Sequence, residues 1–266
     1  MKPASSSSMS RSPISTSLAS ISLAAVAMVA AVPVHAEDGI SIQIGGFNAV
    51  QGSGKAATES RAITGFQAIS VHGSMKLLLR QGGREGVQLT ADDNVLALIE
   101  TKVVDKKGVP TLEIGMKPGT SLRTKTPIVA TIELTTLSAL SIAGAGDVSA
   151  DSLKSQALAL SISGSGNVRL KQLSADDVTV RIAGSGDVEF SGRARKLGVT
   201  ISGSGNVVSR GMETDDVSVR IAGSGDADVN ARKTLDVSIA GSGDVVYVGD
   251  AVVKSSISGI GKVKKQ

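Results

Sequence analysis

The sequence predicts an all-β protein: a right-handed parallel β-helix, or solenoid, with about 20 residues per coil, preceded by an irregular β portion. Three observations predict it. A motif of the form I-[A/S]-G-x-G begins at Ile142, Ile162, Ile182, Ile201, Ile221, Ile239 and Ile257, and self-similarity at such a period marks a repeat architecture. Apolar residues alternate with polar ones ahead of each motif, the period-two pattern of a half-buried strand. A glycine pair then follows in every copy, as a chain that must turn quickly requires. One β unit of this size cannot bury its apolar face alone, so the copies must stack, and the handedness follows from that of parallel crossovers.

Residues 1–36 read as an export signal. Lys2 and Arg11 lie in a Ser-rich leader, an apolar run extends from Leu18 to Val32, and Val34-His35-Ala36 is a small-residue cleavage site. The apolar run is shorter than the roughly 20 residues that cross a bilayer, so the mature chain is expected to hold no membrane span and to reside in the periplasm or at the cell surface. Residues 37–57 are rich in Gly, Ser and Ala and read as a linker or arm.

Residues 58–136 carry short alternating pieces, among them Ala68–Val71, Met75–Leu79, Val87–Leu89, Leu112–Ile114 and Ile128–Leu134, with Gly82-Gly83, Lys107-Gly108 and Pro118-Gly119 as turns. Asn94–Glu100 has the one spacing that suits a short helix. This irregular portion is expected to carry the regular coils and cover one end of them.

Aligned, the copies in residues 137–266 give four inward rows. One is the isoleucine row itself; the second is Leu140, Leu160, Val180, Val199, Val219 and Val237; the third is Leu158, Val178, Leu197, Val217 and Leu235; the fourth, after the glycines, is Val148, Val168, Val188, Val207, Ala227, Val245 and Val263. The interior is therefore expected to be solid. Either Gly184 or Gly186, with its equivalents, should take positive φ. Outward, one row reads Ser141, Ser161, Arg181, Thr200, Arg220, Ser238, Ser256 and another Asp147, Asn167, Asp187, Asn206, Asp226, Asp244, Lys262. Parallel stacking brings like residues to about 4.8 Å, and interleaved Thr or Asn keeps equal charges apart. Residues 257–266, where Ile260 replaces the corner serine and Lys262, Lys264 and Lys265 gather, are expected to cap the far end.

ISGSGNV and RIAGSGDV, together with Arg61-x-Ile63-x-x-Phe66-x-x-Ile69 ahead of them, resemble the GIN-type domain named for autotransporter adhesin heads, over about residues 58–263. The resemblance implies a secreted β-helical domain of unknown function and supplies no catalytic residues. Lys265-Gln266 leave no room for a translocating barrel, so self-export of the autotransporter kind is not expected.

Composition narrows the function. Without cysteine there is no disulfide and no thiolate metal site. The charge of +4 includes Lys2 and Arg11, so the mature chain is nearly balanced, and with three Phe, one Tyr and no Trp it lacks the stacking platforms of a nucleic-acid binder. The serines of Ser163-Gly164-Ser165-Gly166 lie far in sequence from His72, which reads as an ordinary loop histidine. Asp147, Asp187, Asp226 and Asp244 could meet Ca²⁺, but a calcium roll repeats every nine residues, and turn capping is the expected role. Asp187 with Glu189, or Asp176 with Asp177, are the carboxylate pairs a glycan-cleaving β-helix would use; solvent-facing charge is the expected reading. The sequence thus points to an exported, non-enzymatic, adhesin-like or envelope protein that binds a surface component or partner, with no catalytic, cofactor or metal residues assigned. Self-association through strand edges is allowed. The alternative is a polysaccharide-processing or calcium-dependent β-helix enzyme.

Overall fold

The computed structural model describes residues 49–266. The leader at 1–36 and residues 37–48 of the arm lie outside the described residues. Ten strands make the regular part: β10 (Ala139–Gly144), β11 (Asp147–Ala150), β12 (Leu153–Gly164), β13 (Asn167–Gly184), β14 (Val188–Gly203), β15 (Val207–Gly223), β16 (Ala227–Gly241), β17 (Val245–Val248), β18 (Val252–Gly259) and β19 (Val263–Lys265). Each pairs in parallel with its equivalent one coil on, and the register is the one the repeats imply: Ile142, Ile162, Ile182, Ile201, Ile221, Ile239 and Ile257 are successive partners. The first six isoleucines are buried, and one continuous core runs from Phe66 to Val245.

The two glycines of each corner do different work. Gly203 sits at φ +135°, as do its equivalents at similar angles, a conformation that side chains with a Cβ resist. Gly205 has no such φ. A Cβ there would collide with the Gly186 carbonyl oxygen of the preceding coil and lie 2.8 Å from Ile182 Cγ2. The first glycine makes the turn and the second lets the coils approach.

Two inward rows escape the repeat alignment. Leu170 and Phe190 are buried after the fourth row, as are Leu153, Leu173 and Met212 beyond the next bend. Here the register shifts, between Leu170 and Leu173, Glu189 and Ser191, and Ser209 and Thr214. Coils of unequal length absorb their difference at this bend, and the long row at the isoleucines stays in step. Two polar side chains fall inward at the same place, and each finds a carbonyl: Ser209 Oγ donates to Asp228 at 3.3 Å and Thr214 Oγ1 to Met212 at 3.3 Å.

The irregular portion contains β1 (Ala49–Gln51), β2 (Ala56–Arg61), β3 (Ala68–Gly73), β4 (Lys76–Gln81), β5 (Gly86–Asp92), α1 (Asp93–Leu96), β6 (Ile99–Lys106), β7 (Val109–Met116), β8 (Ser121–Arg123) and β9 (Val129–Leu134). It supplies two further coils in register. Val71 of β3 partners Ile142 on one side and Ile114 of β7 on the other; Leu77 of β4 lies between Val148 and Ala130 of β9. The chain therefore enters at the second coil, moves outward to build the first, and returns at β10 to continue the stack.

The outermost coil is then covered by strands of reversed direction. β6 runs antiparallel to β7, the two joined by the Lys107-Gly108 turn, and β5 runs antiparallel to β9 and to β2. Residues 49–57 of the stretch read as an arm carry β1, which pairs with β8, and the start of β2. The helix expected over Asn94–Glu100 is shorter and earlier, Asp93–Leu96, because Ile99 is already the first rung of the ladder with β7. Val95 and Leu96 are buried against the end of the core. Among the described residues, no helix is long and apolar enough to cross a membrane.

Candidate functional site

With the interior filled by aliphatic side chains, any site must lie on the outer surface, where each outward residue repeats once per coil. The corner after the glycines carries the Asp/Asn row, and its side chains point along the stack. Asp187 Oδ1 accepts from Asn206 N at 3.0 Å and from Asn206 Nδ2 at 2.9 Å; Asn206 Oδ1 accepts from Asp226 N at 3.0 Å; Asp226 Oδ1 accepts from Asp244 N at 2.7 Å; and Asp244 Oδ1 accepts from Lys262 N at 2.8 Å. Each side chain caps the backbone of the following coil. Asn167 Nδ2 likewise donates to Asp147 Oδ1 at 2.9 Å. Asp187, Asn206, Asp226 and Asp244 thus cap the backbone of the next coil and not their own turn, while Asp147 holds only the Asn167 side chain. Among the described residues, no three His, Asp or Glu side chains are grouped as metal ligands would be.

Beside this row runs a groove of about 740 Å³, with Lys76, Asn167, Arg169, Asp187, Glu189 and Val208 among its walls. The glycine corner brings the capping row to one wall. The next outward position on each short strand, Arg169, Glu189 and Val208 in register, forms the other. Arg169 Nε donates to Glu189 Oε2 at 2.6 Å; that hydrogen bond first, and the carboxylate's charge second, raise the Arg169 pKa. Asp187 and Glu189 are neighbours here, yet one holds a backbone amide and the other an arginine.

The other carboxylate pair, Asp176 and Asp177, belongs to a charged corner whose sign alternates from coil to coil. Asp177, Lys196 and Asp216 are successive partners, as are Arg193 and Glu213. Arg195 Nη2 lies 3.5 Å from Asp177, and Lys233 Nζ 2.8 Å from Asp215. The Lys233 hydrogen bond is the leading cause that lowers the Asp215 pKa, opposed by burial and aided by the charges of Lys233 and Arg232. Solvated pairs of this kind contribute little to stability. Their clearer consequence is that no two like charges stack at the spacing of about 4.8 Å between coils.

His72 lies on β3 and not in a loop, because the strand continues through Gly73. Its partners in the row are Ala143 on β10 and, across the stack, the Gly115 position, so Ser163 and Ser165 stand apart from it. Ser70 does not. Its Oγ is 3.3 Å from His72 Nε2 and accepts from Lys106 Nζ at 3.2 Å, while Lys106 pairs with Glu113 at 2.8 Å. The Lys106 hydrogen bond, ahead of the opposing burial and the charges of Lys106 and Lys102, lowers the Glu113 pKa. The sequence offered one signal for Ser70, its place two residues before His72 on an alternating strand; Lys106 reaches it only through the β6–β7 hairpin.

A family model described as "Putative auto-transporter adhesin, head GIN domain" matches residues 65–251. Among solved structures, a protein described as a "putative adhesin" from Bacteroides fragilis NCTC 9343 is 27% identical, with a TM-score of 0.76 over 82% of this chain and 100% of that one. One described as a "Putative lipid binding protein" from Parabacteroides distasonis ATCC 8503 is 24% identical, with a TM-score of 0.67 over 82% of this chain and 99% of that one. A "putative adhesin" from Parabacteroides merdae ATCC 43184 is 24% identical, with a TM-score of 0.64 over 82% and 98%. The last two share the fold. No curated protein matches the chain.

Proposed function

This chain belongs to the family described as "Putative auto-transporter adhesin, head GIN domain", and on that footing we propose that it is an exported, non-enzymatic, adhesin-like β-solenoid that attaches to an envelope or surface component through the groove beside its Asp/Asn corner. The observation that carries this reading is the groove itself. It spans several coils, repeats its polar wall at the strand spacing of about 4.8 Å, and sets the Arg169–Glu189 pair and exposed Val208 opposite the capping row. Such a track suits an extended ligand gripped at many points. Its acids already serve the backbone or an arginine, which favours binding over bond cleavage.

Binding of isolated envelope fractions to the exported chain tests the proposal. Arg169→Gln with Val208→Ser changes two outward side chains, stacks no new acid on Glu189 and leaves the core rows intact, so its melting should stay close to that of wild type while retention falls about tenfold. Equal retention by the double variant removes the groove from the reading. Release of reducing sugar ends from those fractions would overturn the non-enzymatic part.

A further inference from the structure

The last coil differs chemically from every coil before it. Five large apolar side chains are exposed among the described residues, and three of them belong to this coil: Val252 at 69%, Ile257 at 41% and Ile260 at 79%. Residues 251–266 also hold Lys254, Lys262, Lys264 and Lys265 and no acid. The nearest carboxylates stand outside it. Asp236 partners Lys254 from the preceding coil, Asp244 accepts the Lys262 amide, and Asp250 pairs with Lys265 at 3.0 Å. Among the described residues, β18 pairs only with β16 and β19 only with β17, so their outer edges carry no strand.

We propose that this coil is a docking tip for an anionic lipid surface, with Ile260 and Val252 entering the interface and the four lysines meeting the headgroups. Three observations favour a bilayer over other occupants. Ile260 stands at the outward corner where preceding coils carry Ser165, Ser185, Ser204, Ser224 and Ser242. An added strand would continue the inward rows and leave that residue in water, whereas a surface covers it. A second copy meeting end to end would oppose lysine with lysine. The tip is also preformed: Ile260 N donates to Gly241 O at 3.0 Å, Lys262 N to Asp244 Oδ1 at 2.8 Å, and Gln266 N to Tyr247 O at 3.0 Å. Nothing need be ordered on docking, and lysine stems can lie along the apolar surface while their ammonium groups reach phosphate.

The chain has no tryptophan, so Ile260→Trp gives a single reporter at the tip. Mixed with vesicles of phosphatidylcholine and phosphatidylglycerol, its emission should shift to the blue, and the shift should weaken with added salt. Each lysine changed to glutamine should weaken the vesicle affinity about fivefold. Lys254→Gln, Lys262→Gln, Lys264→Gln and Lys265→Gln together should abolish the shift while melting stays that of wild type. An unchanged emission, an equal shift with phosphatidylcholine alone, a shift indifferent to the four glutamines, or a shift produced as well by polyglutamate would each overturn the proposal. So would self-association of the four-glutamine variant without lipid, with no loss of vesicle binding, which would make the lysines guards of a strand edge only.

Discussion

The two ends of the solenoid face the same problem and meet it differently. A parallel stack always leaves a strand edge at each end, and an exposed edge invites further pairing. At the N-terminal end the chain reverses direction: antiparallel β5 and β6 lie over β9 and β7, and α1 adds buried Val95 and Leu96. At the C-terminal end direction is kept and only composition changes, with serine at position 255 of an apolar row and lysines around Ile260. The difference shows in burial. Val71 and Ile114, the isoleucine-row equivalents near the closed end, are fully buried, while Ile257 at the other end is 41% exposed. One end is sealed and the other is left as a surface.

The comparison breaks most readily at the isoleucine row. Ile201→Asp places an unpaired charge in the middle of the core and should cost at least about 4 kcal/mol; Ile257→Asp, at the open end, should cost about 1 kcal/mol or less. Denaturant titration of both variants checks this, and equal losses would mean the last coil is packed like the others.

Next in size are the glycines. Gly203→Val needs a positive φ and meets the Gly184 backbone as well, whereas at Gly65, with φ +78°, a Cβ would find nothing within 4 Å. Gly65→Ala should therefore cost only about 1 kcal/mol of backbone strain, and Gly203→Val clearly more. Melting temperatures of the two variants separate turn geometry from close approach.

A smaller, pH-dependent effect is expected at the sealed end. Asp92 is buried, and its carboxylate accepts from Thr126 Oγ1 at 2.5 Å and from Lys125 N at 3.1 Å. The Thr126 hydrogen bond is the first cause holding its pKa below the ordinary value; burial opposes it, and the amides of Lys125, Thr126 and Gly54 assist. A depressed carboxyl contributes stability that is fully present above the unfolded value of about 3.9 and lost as pH falls through the folded one. Amides near Gly52 and Lys125 should lose exchange protection below about pH 4, with no matching change at Ile257. Asp92→Asn should show that loss already at neutral pH.

Legibility in the sequence followed geometry. The isoleucine row and its two companions were readable because the long strand keeps the same two-residue step between rows in coil after coil, as Val180 before Ile182, Val199 before Ile201 and Val219 before Ile221 illustrate. Phe190 and Met212 were not, because unequal coils slip at the bend between them. Val71 and Ile114 belong to the same stack, yet the excursion through β5 and β6 places the first coil after the second in sequence, and no Gly-x-Gly follows either residue. That Asp187 and Asn206 cap backbone could be inferred from their place at the corner, whereas their reach to the next coil could not. The groove beside them could not, since Arg169, Glu189 and Val208 look unrelated until stacking aligns them. Lys106 reaches Ser70 only through the hairpin.

Native-state hydrogen exchange, followed residue by residue, tests the sealed and open ends most directly. Amides of β7, β9 and β12–β16 should exchange only through global unfolding, while those of β18 and β19 should exchange through local opening at least a hundredfold faster, as elements at the low end of local stability do. Protection in β18 and β19 equal to that in β14, or exchange of β7 and β9 as fast as at the last coil, would contradict the account.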